Sequence, residues 1–311
     1  MRYLFFINPT AGKGKLQESV IANINEYFSK TEYEYKIHIT THKGDAEETA
    51  RKEASTGDLI TMFACGGEGT EYEVLNGIMG FDNVTLGVIP CGSANDFLKC
   101  FSDKSLFLDI NRQINGDTLY MDVIKADDRY CLNGCSAGMD AMVGRDMTIF
   151  KNWPLVSGPM AYNLALVKTF FGKLGIKMRV SLNDGEFLDQ NCLFAVVANG
   201  PCYGGGYFAA PKAVPNDNKL DFTLVDTISH FNVLRFLPLY KGGRHSHLEC
   251  CHFSNCTSME FISEKEIPIN LDGEIVVKNR MRFEIVKNGV KFVVPKGIMI
   301  LNIEEKDKVL T

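Results

Sequence analysis

The sequence has little of what marks a nucleic-acid-binding, secreted or membrane-spanning protein. It has 311 residues and a formal charge of −5, whereas a nucleic-acid partner usually requires a basic surface. No apolar run approaches the roughly 18 residues of a membrane-spanning helix, and the apolar stretch at the start is too short for a signal peptide. We therefore expect a cytoplasmic protein that has no nucleic-acid partner.

Metal-type cysteine pairs and the common nucleotide fingerprints are also missing. The ten cysteines lack the CxxC spacing of zinc sites, so we expect them to be reduced and to act as small hydrophobic residues. The sequence has no G-x-x-x-x-G-K-[ST] motif, and no G-x-G-x-x-G follows its first predicted strand. The second absence weighs against a dehydrogenase.

What the sequence does contain, over residues 1 to about 105, is an alternation of apolar runs with segments of helical spacing. Four strand-loop-helix units in succession predict a mostly parallel, doubly wound, Rossmann-like sheet. In such sheets ligands bind at the carboxyl ends of the strands. The segments that follow the four predicted strands begin at Asn8, Thr40, Cys65 and Pro90, and all are rich in glycine or polar residues.

The loop Gly66-Gly-Glu-Gly-Thr70 separates a predicted strand from a predicted helix. Backbone N–H groups at a helix N-terminus, together with the helix dipole, suit a phosphate group. The carboxylate of Glu68 would repel a phosphate unless a metal ion or a proton transfer gives it a function. This combination favours a phosphotransferase over a dinucleotide oxidoreductase.

From about residue 118 onward the pattern changes to short alternating runs separated by turn signals. Asn183-Asp-Gly and Asn288-Gly each predict a β-hairpin. Helical spacing predicts one long helix over 159–174, and its phenylalanines and lysines are compatible with contact to a membrane as well as with core packing.

The change of pattern predicts two domains. Residues 1–120 form an α/β nucleotide-binding domain, to which residues 297–311 return. Residues 121–296 form an antiparallel β-sandwich domain with the one long helix.

Six motifs follow one another over nearly the whole chain. They are Asn8-Pro-Thr-Ala-Gly-Lys, Gly66-Gly-Glu-Gly-Thr with Glu73-Val-Leu-Asn-Gly, Pro90-x-Gly-Ser-x-Asn-Asp-Phe97, Asn133-Gly-x-x-Ala-Gly-Met-Asp-Ala141, Gly204-Gly-Gly to Leu220-Asp221, and Leu271-Asp-Gly-Glu274. In this order they resemble the diacylglycerol kinase catalytic-domain family in its compact bacterial form. That family is related to sphingosine kinases and, more distantly, to NAD kinases.

The resemblance implies a lipid kinase that transfers the γ-phosphate of ATP, with Mg²⁺, to the hydroxyl of a lipid such as diacylglycerol at a membrane surface. It implies that Glu274 is the catalytic base, with Glu68 and Asp96 in the catalytic centre. It places a Mg²⁺ site at Asp217 with the backbone carbonyls of Val214 and Lys219, and Asp122 near the phosphates as a further ligand. The nucleotide-binding residues that it implies are Asn8, Pro9, Thr10, Ala11, Gly12, Thr40, Gly66, Gly67, Glu68, Gly69, Thr70, Glu71, Tyr72 and Ser93.

Two of these positions depart from the family pattern: Glu68 stands where the family has Asp, and Ser93 stands where it usually has Thr. Because Glu68 is longer than Asp, one alternative function is that of a catalytically weak lipid- or nucleotide-binding protein. Because NAD kinases share the glycine-rich loop, the other alternative is an NAD kinase-like enzyme. Asp122 lies in an apolar strand, where a buried acid needs a metal or a hydrogen-bond donor. The sequence leaves open which lipid accepts the phosphate, and it leaves open the oligomeric state, a homodimer included.

Overall fold

The computed structural model describes residues 1–301 except 15, 93–94, 151–152, 154–155, 157 and 173. Its described residues form two compact units. The first unit comprises residues 1–123, 215–217 and 286–301, and the second comprises residues 124–214 and 218–285.

The first unit alternates strands with helices along the chain, as the periodicity predicts. Its strands are β1 (Arg2–Ile7), β2 (Glu34–Ile39), β3 (Ile60–Gly66) and β4 (Val84–Pro90). Its α-helices are α1 (Gln17–Phe28), α2 (Asp45–Ala54), α3 (Glu68–Ile78) and α4 (Ile110–Ile114). Short 3₁₀ helices cover Asp96–Cys100 and Lys104–Leu108, and Ala11–Gly14 is a turn in which Gly12 and Lys13 have positive φ.

The sheet of the first unit is parallel. β1 pairs with β2 and β3, β3 pairs with β4, and β4 pairs with residues 291–292 of the last strand. Every residue of β3 is buried, as expected for a parallel strand with both faces covered. Phe5 of β1 stacks on Phe63 of β3 with ring centroids 4.8 Å apart, at the centre of the apolar core beneath α1.

The second unit contains most of the later strands and three helices. Its strands are β5 (Asp117–Ala126, from residue 124), β6 (Arg129–Cys131), β7 (Gly134–Gly138), β8 (Ile176–Leu182), β9 (Leu188–Ala198), β10 (Leu220–Asp226), β11 (Cys251–Cys256), β12 (Ser258–Leu271) and β13 (Glu274–Val294, to residue 285). Its helices are α5 (Met139–Phe150), α6 (Gly158–Phe171) and α7 (His230–Lys241).

The strand pairings of the second unit are antiparallel. Their order is β11–β10–β9–β7–β12–β13, and β8 pairs with both β9 and β12. The hairpin predicted at Asn183-Asp-Gly is present between β8 and β9. Both Asn183 and Asp184 have positive φ, which is the backbone conformation that a tight hairpin turn requires.

The prediction of a single long helix in the second half is wrong, because α5 and α7 flank α6 in the chain order. α5 contains Gly144, and α7 contains Pro238 in its last turns; both residue types lower helix propensity. Packing of the two helices on the unit's core overrides that local preference. Val233 of α7 belongs to the same core cluster as Phe194 of β9.

The hairpin predicted at Asn288-Gly289 is also wrong. β13 continues through both residues, and Asn288 keeps a positive φ of 51° inside the strand. Its N–H donates to the carboxylate of Asp122, with 2.9 Å between nitrogen and oxygen. The left-handed residue therefore serves a tertiary hydrogen bond, and the chain does not reverse.

The ten cysteines are free thiols and eight of them are buried, as expected for small hydrophobic residues. Within the described residues, no helix has the length and apolar content needed to cross a bilayer.

Candidate functional site

The carboxyl ends of the first unit's parallel strands carry loops that hydrogen-bond to one another. After β1, the N–H of Asn8 donates to Cys65 O over 3.1 Å, and its side-chain amide donates to Thr70 Oγ1 over 3.1 Å. After β4, the N–H of Cys91 donates to Gly66 O over 2.9 Å. After β2, the N–H of Thr40 donates to Ile7 O over 2.9 Å. The structure thus brings together most of the residues predicted to bind nucleotide.

Glycine is required where these loops approach most closely. A Cβ on Gly92 would lie 2.6 Å from the Cα of Gly67. Gly12 has a positive φ of 55°, and a Cβ there would lie 2.3 Å from Cys91 O. Any side chain at these two positions would push the loops apart. The backbone therefore forms a narrow cradle, and the exposed Pro9 and Thr10 lie beside it.

α3 begins directly after Gly67, so the N-terminus of this helix lies at the cradle. Glu68 is its first residue, where a negative charge is stabilised by the helix dipole. The Glu68 carboxylate accepts a hydrogen bond from the backbone N–H of Asp96 over 3.1 Å. The longer acid therefore links the loop after β3 to the start of the 3₁₀ helix that follows β4.

The sequence alone assigned no role to Asn95, although this residue lies in the motif Pro90-x-Gly-Ser-x-Asn-Asp-Phe97. Its side-chain amide donates to Gly66 O over 3.1 Å and to the carboxylate of Glu71, and its Oδ1 accepts from the N–H of Gly92 over 3.2 Å. Asn95 also has a positive φ of 46°, which asparagine tolerates better than most residues. It holds the two glycine-rich loops in register.

The remaining predicted residues of this region differ in exposure. Glu71 and Tyr72 are buried in α3, whereas Gly69 is exposed. The carboxylate of Asp96 is fully buried and pairs with Lys99 Nζ at 2.8 Å. Ser93 lies outside the described residues, and its role stays a prediction.

Asp45 fixes the loop that contains Thr40. Its carboxylate accepts hydrogen bonds from the N–H and hydroxyl of Thr41 at 2.7 and 2.9 Å, and lies 2.8 Å from His38 Nε2. Burial alone would raise the pKa of this carboxyl, but the hydrogen bonds from Thr41 and His38 together outweigh burial and lower the pKa to about 2. The ionised form is therefore favoured in the folded protein.

We expect Asp45→Asn to destabilise the protein in a pH-dependent way. Because the folded pKa lies below the unfolded one, the carboxylate stabilises the fold above pH 4 and loses this effect as the pH falls toward 2. The expected loss in unfolding free energy is about 2 kcal/mol at pH 7 and about half of that at pH 3. Urea denaturation at both pH values measures it. Exposed Asp82→Asn is the control, and a loss of equal size at both pH values would contradict the assignment.

Asp122 is buried in β5 and does have a hydrogen-bond donor. Its Oδ1 accepts from the N–H of Asn288 over 2.9 Å, and its own N–H donates to Pro215 O over 2.7 Å. The backbone N–H of Asn288 is thus one of the hydrogen-bond donors that a buried acid in this strand needs when no metal is bound to it. Asp217 lies exposed two residues after Pro215 in the same unit, whereas Val214 and Lys219 belong to the second unit.

Glu274 lies in the second unit, at the β12–β13 hairpin. Asp272 and Gly273 have φ values of 48° and 94°, as in a type I′ turn. The side chain of Asp272 accepts hydrogen bonds from the N–H groups of Leu132 and Gly134 at 2.5 and 2.7 Å. Burial raises the pKa of Asp272 to about 6, although these hydrogen bonds oppose the rise. Asp272, which sequence reasoning left without a role, therefore anchors the turn that presents Glu274.

The buried carboxylate of Asp140 connects the motif that begins at Asn133 to the residue just before the one that begins at Gly204. The carboxylate of Asp140, at the start of α5, accepts hydrogen bonds from Ser136 Oγ and from the hydroxyl of Tyr203, the latter over 2.8 Å. Tyr240 of α7 donates in turn to the Tyr203 hydroxyl over 3.3 Å. Burial raises the pKa of Asp140 and that of Tyr203. These contacts fix α5 and α7 to the loop that contains Gly204.

Three carboxylates that were predicted to lie near bound phosphates belong to the first unit. Carboxylate oxygens from Glu68, Asp96 and Asp122 are hard ligands of the kind that Mg²⁺ prefers, and in kinase sites this ion is usually held by one or two carboxylates together with the substrate's phosphates. Among the described residues, no group of three or more His, Cys, Asp or Glu side chains is arranged so that it could hold a metal ion.

Glycine-rich loops at the strand ends of a parallel sheet, next to the N-terminus of a helix, form the type of arrangement that binds phosphate groups in many proteins. Residues 2–126 match the family model of the diacylglycerol kinase catalytic domain, and residues 133–294 match that of the YegS C-terminal NAD kinase beta sandwich-like domain. The chain belongs to the diacylglycerol kinase catalytic-domain family.

Individual relatives agree with this assignment. The chain is 28% identical over 309 residues to a diacylglycerol kinase of Staphylococcus epidermidis, covering 97% of this chain and 95% of that protein. It is 26% identical over 270 residues to a diacylglycerol kinase of Bacillus subtilis, covering 86% and 88%. The crystal structure of a diacylglycerol kinase from Bacillus anthracis has the same fold, with a TM-score of 0.69, 19% identity and coverage of 96% and 98%.

Proposed function

We propose that this protein transfers the γ-phosphoryl group of ATP to the hydroxyl of a membrane lipid such as diacylglycerol. The observation that carries the proposal is the close approach of the glycine-rich loops at Gly66, Gly67 and Gly92 beside the start of α3, in a chain of the diacylglycerol kinase family. The residues proposed to hold the nucleotide are Asn8–Gly12, Thr40, Gly66–Tyr72 and Ser93.

The reaction needs positioning, charge neutralisation and a proton acceptor. The lipid oxygen forms a bond to the γ-phosphorus while the bond between the γ-phosphorus and the bridging oxygen of ADP breaks. Glu274 accepts the proton of the attacking hydroxyl. Asp272 keeps Glu274 in place through its hydrogen bonds to residues 132–134.

Mg²⁺, when bound, neutralises charge that develops on the phosphates. We propose that Glu68, Asp96 and Asp122 lie near these phosphates. We also propose that Asp217, with the backbone carbonyls of Val214 and Lys219, holds a second, structural Mg²⁺.

A lipid panel with labelled ATP tests the function. The purified chain is incubated with diacylglycerol, a sphingoid base, a polyprenol and NAD in separate reactions, and each product is separated and counted. We expect label in a lipid product and none in NADP. Label in NADP alone would make the protein an NAD kinase-like enzyme. Nucleotide binding without any labelled product would make it a binding protein on the same scaffold.

A further inference from the structure

Two segments of the second unit differ in charge from the rest of this acidic chain. Residues 147–183 contain five basic residues and no Asp or Glu, and residues 228–248 contain three basic residues and no Asp or Glu. The first segment includes α6 and the second includes α7. In a chain with a formal charge of −5, both segments are local regions of positive charge.

The fold brings the two segments together. The ring of Phe170, near the end of α6, lies edge-on to that of His230, the first residue of α7, with centroids 5.2 Å apart. Phe170 also packs against the core cluster that contains Val233 of α7. The C-terminal end of α6 and α7 are therefore neighbours on one surface.

Both helices expose large apolar side chains at helical spacing. Phe171 and Val167 of α6 are 78% and 55% exposed, and Phe231, Leu234 and Leu237 of α7 are 72%, 57% and 36% exposed. Residues three or four positions apart lie on the same face of a helix, so each helix presents a stripe. We call these five residues the apolar ridge. Contiguous exposed apolar patches usually mark an interaction site.

Three basic residues lie in α7 or just after it. Within the described part of the chain, none of Arg235, Lys241 and Arg244 forms an ion pair. Arg235 lies over the ring of Phe236 at 5.7 Å, and Lys241 over that of Tyr207 at 5.8 Å. Lys168 of α6, in contrast, is paired with Asp146 at 2.9 Å. The cations at α7 are thus available to an external anion.

We propose that the apolar ridge docks the protein on an anionic bilayer. Its aromatic and aliphatic side chains enter the interface, while Arg235, Lys241 and Arg244 contact lipid phosphates. A basic helix with exposed Phe and Leu has the composition of an interfacial helix, and anionic lipids attract cations near the surface. The proposal rests on the lipid kinase function, since the acceptor lipid resides in a bilayer.

Vesicle sedimentation without ATP tests the docking. We expect the protein to bind vesicles of phosphatidylglycerol and phosphatidylcholine, and to bind them more weakly at high salt. The double variant Phe231→Ser/Leu234→Ser should bind about tenfold or more weakly, because two apolar side chains leave the interface. Leu59→Ser is the matched control, since Leu59 is 71% exposed in the first unit, and it should bind as the wild type does.

Charge reversal separates the electrostatic part of the interaction. Arg235→Glu/Lys241→Glu should lower binding to the anionic vesicles about tenfold or more, and should leave the weak binding to pure phosphatidylcholine unchanged. Circular dichroism and thermal unfolding establish that each variant is folded. Equal vesicle binding by the wild type and the folded ridge variants would overturn the proposal. Failure of the wild type to bind vesicles would also overturn the proposal, even if the apolar ridge binds a second protein.

A short-chain diacylglycerol, supplied as monomers below its micelle concentration, distinguishes docking from chemistry. The ridge variants should phosphorylate the monomers at the wild-type rate and long-chain lipid in vesicles about tenfold more slowly. If the wild type phosphorylates monomers but vesicle binding does not depend on the ridge, the docking proposal fails and the function stands. If vesicle binding depends on the ridge but no lipid is phosphorylated, the proposed function fails instead.

Discussion

Glu274→Gln is expected to lower lipid phosphorylation by about 10²–10⁴-fold, the range typical of general acid–base catalysis. Glutamine has nearly the shape of glutamate but cannot accept the proton of the attacking hydroxyl. The turn that presents residue 274 is held by Asp272, so the substitution should leave the backbone unchanged. Steady-state turnover with a lipid dispersion measures the loss, and calorimetric titration should show unaltered ATP binding.

The matched control is Glu266→Gln, which makes the same change at an exposed position of β12. It should retain wild-type turnover. Normal turnover in Glu274→Gln would remove Glu274 from the proton-transfer role and would leave Asp272-Gly-Glu274 as an ordinary hairpin.

Glu68→Ala is expected to inactivate the protein, whereas Glu68→Asp should stay active. The carboxylate stands at the first residue of α3 and accepts the N–H of Asp96 over 3.1 Å, so its removal takes charge away from the phosphate cradle and disconnects two of its loops. Aspartate is one methylene, about 1.5 Å, shorter, and it still supplies a hard oxygen ligand. Glu68→Asp restores the residue that the family has at this position, so it should stay active, whereas loss of the whole carboxylate in Glu68→Ala should lower the rate at least about 10²-fold.

Glu68→Gln separates charge from structure. Its side-chain oxygen can still accept the hydrogen bond from Asp96, so its thermal stability should match that of the wild type, while its turnover should fall as in Glu68→Ala. Exposed Glu48→Ala in α2 is the control for loss of a surface charge. Full activity in both Glu68→Ala and Glu68→Gln would show that this acid has no metal or proton role.

Much of the first unit could be predicted from local pattern. Buried parallel strands are continuous apolar runs, and the helices between them have helical spacing, so each predicted strand from β1 to β4 lies within a few residues of its observed position. The glycine-rich loops were also recognisable, because Gly12 adopts a left-handed backbone conformation and Gly92 permits a close approach. Such steric requirements are visible in the residue type itself.

The errors fall where distant segments override local preference. Asn288-Gly289 has the composition of a turn, but both residues contact β5 instead. A Cβ on Gly289 would lie 3.1 Å from the Cβ of Val123, and the N–H of Asn288 donates a hydrogen bond to the carboxylate of Asp122. The roles of Asn95 and Asp272 were missed for the same reason. Apart from Gly92, the partners of Asn95 lie 24 to 29 positions away in the chain, and those of Asp272 lie 138 to 140 positions away, so no local pattern reveals them.

By itself the sequence determined the family, the alternation of strands and helices in the first unit and the glycine-rich loops at its strand ends. Only the tertiary structure decided that Glu68 bonds to the backbone of Asp96, that Asp272 anchors the Glu274 turn and that the end of α6 lies beside the start of α7. The physical reason is the separation along the chain over which each effect acts. Periodicity and backbone preference act over a few residues, whereas a buried carboxylate takes whichever N–H donors the packed chain brings to it.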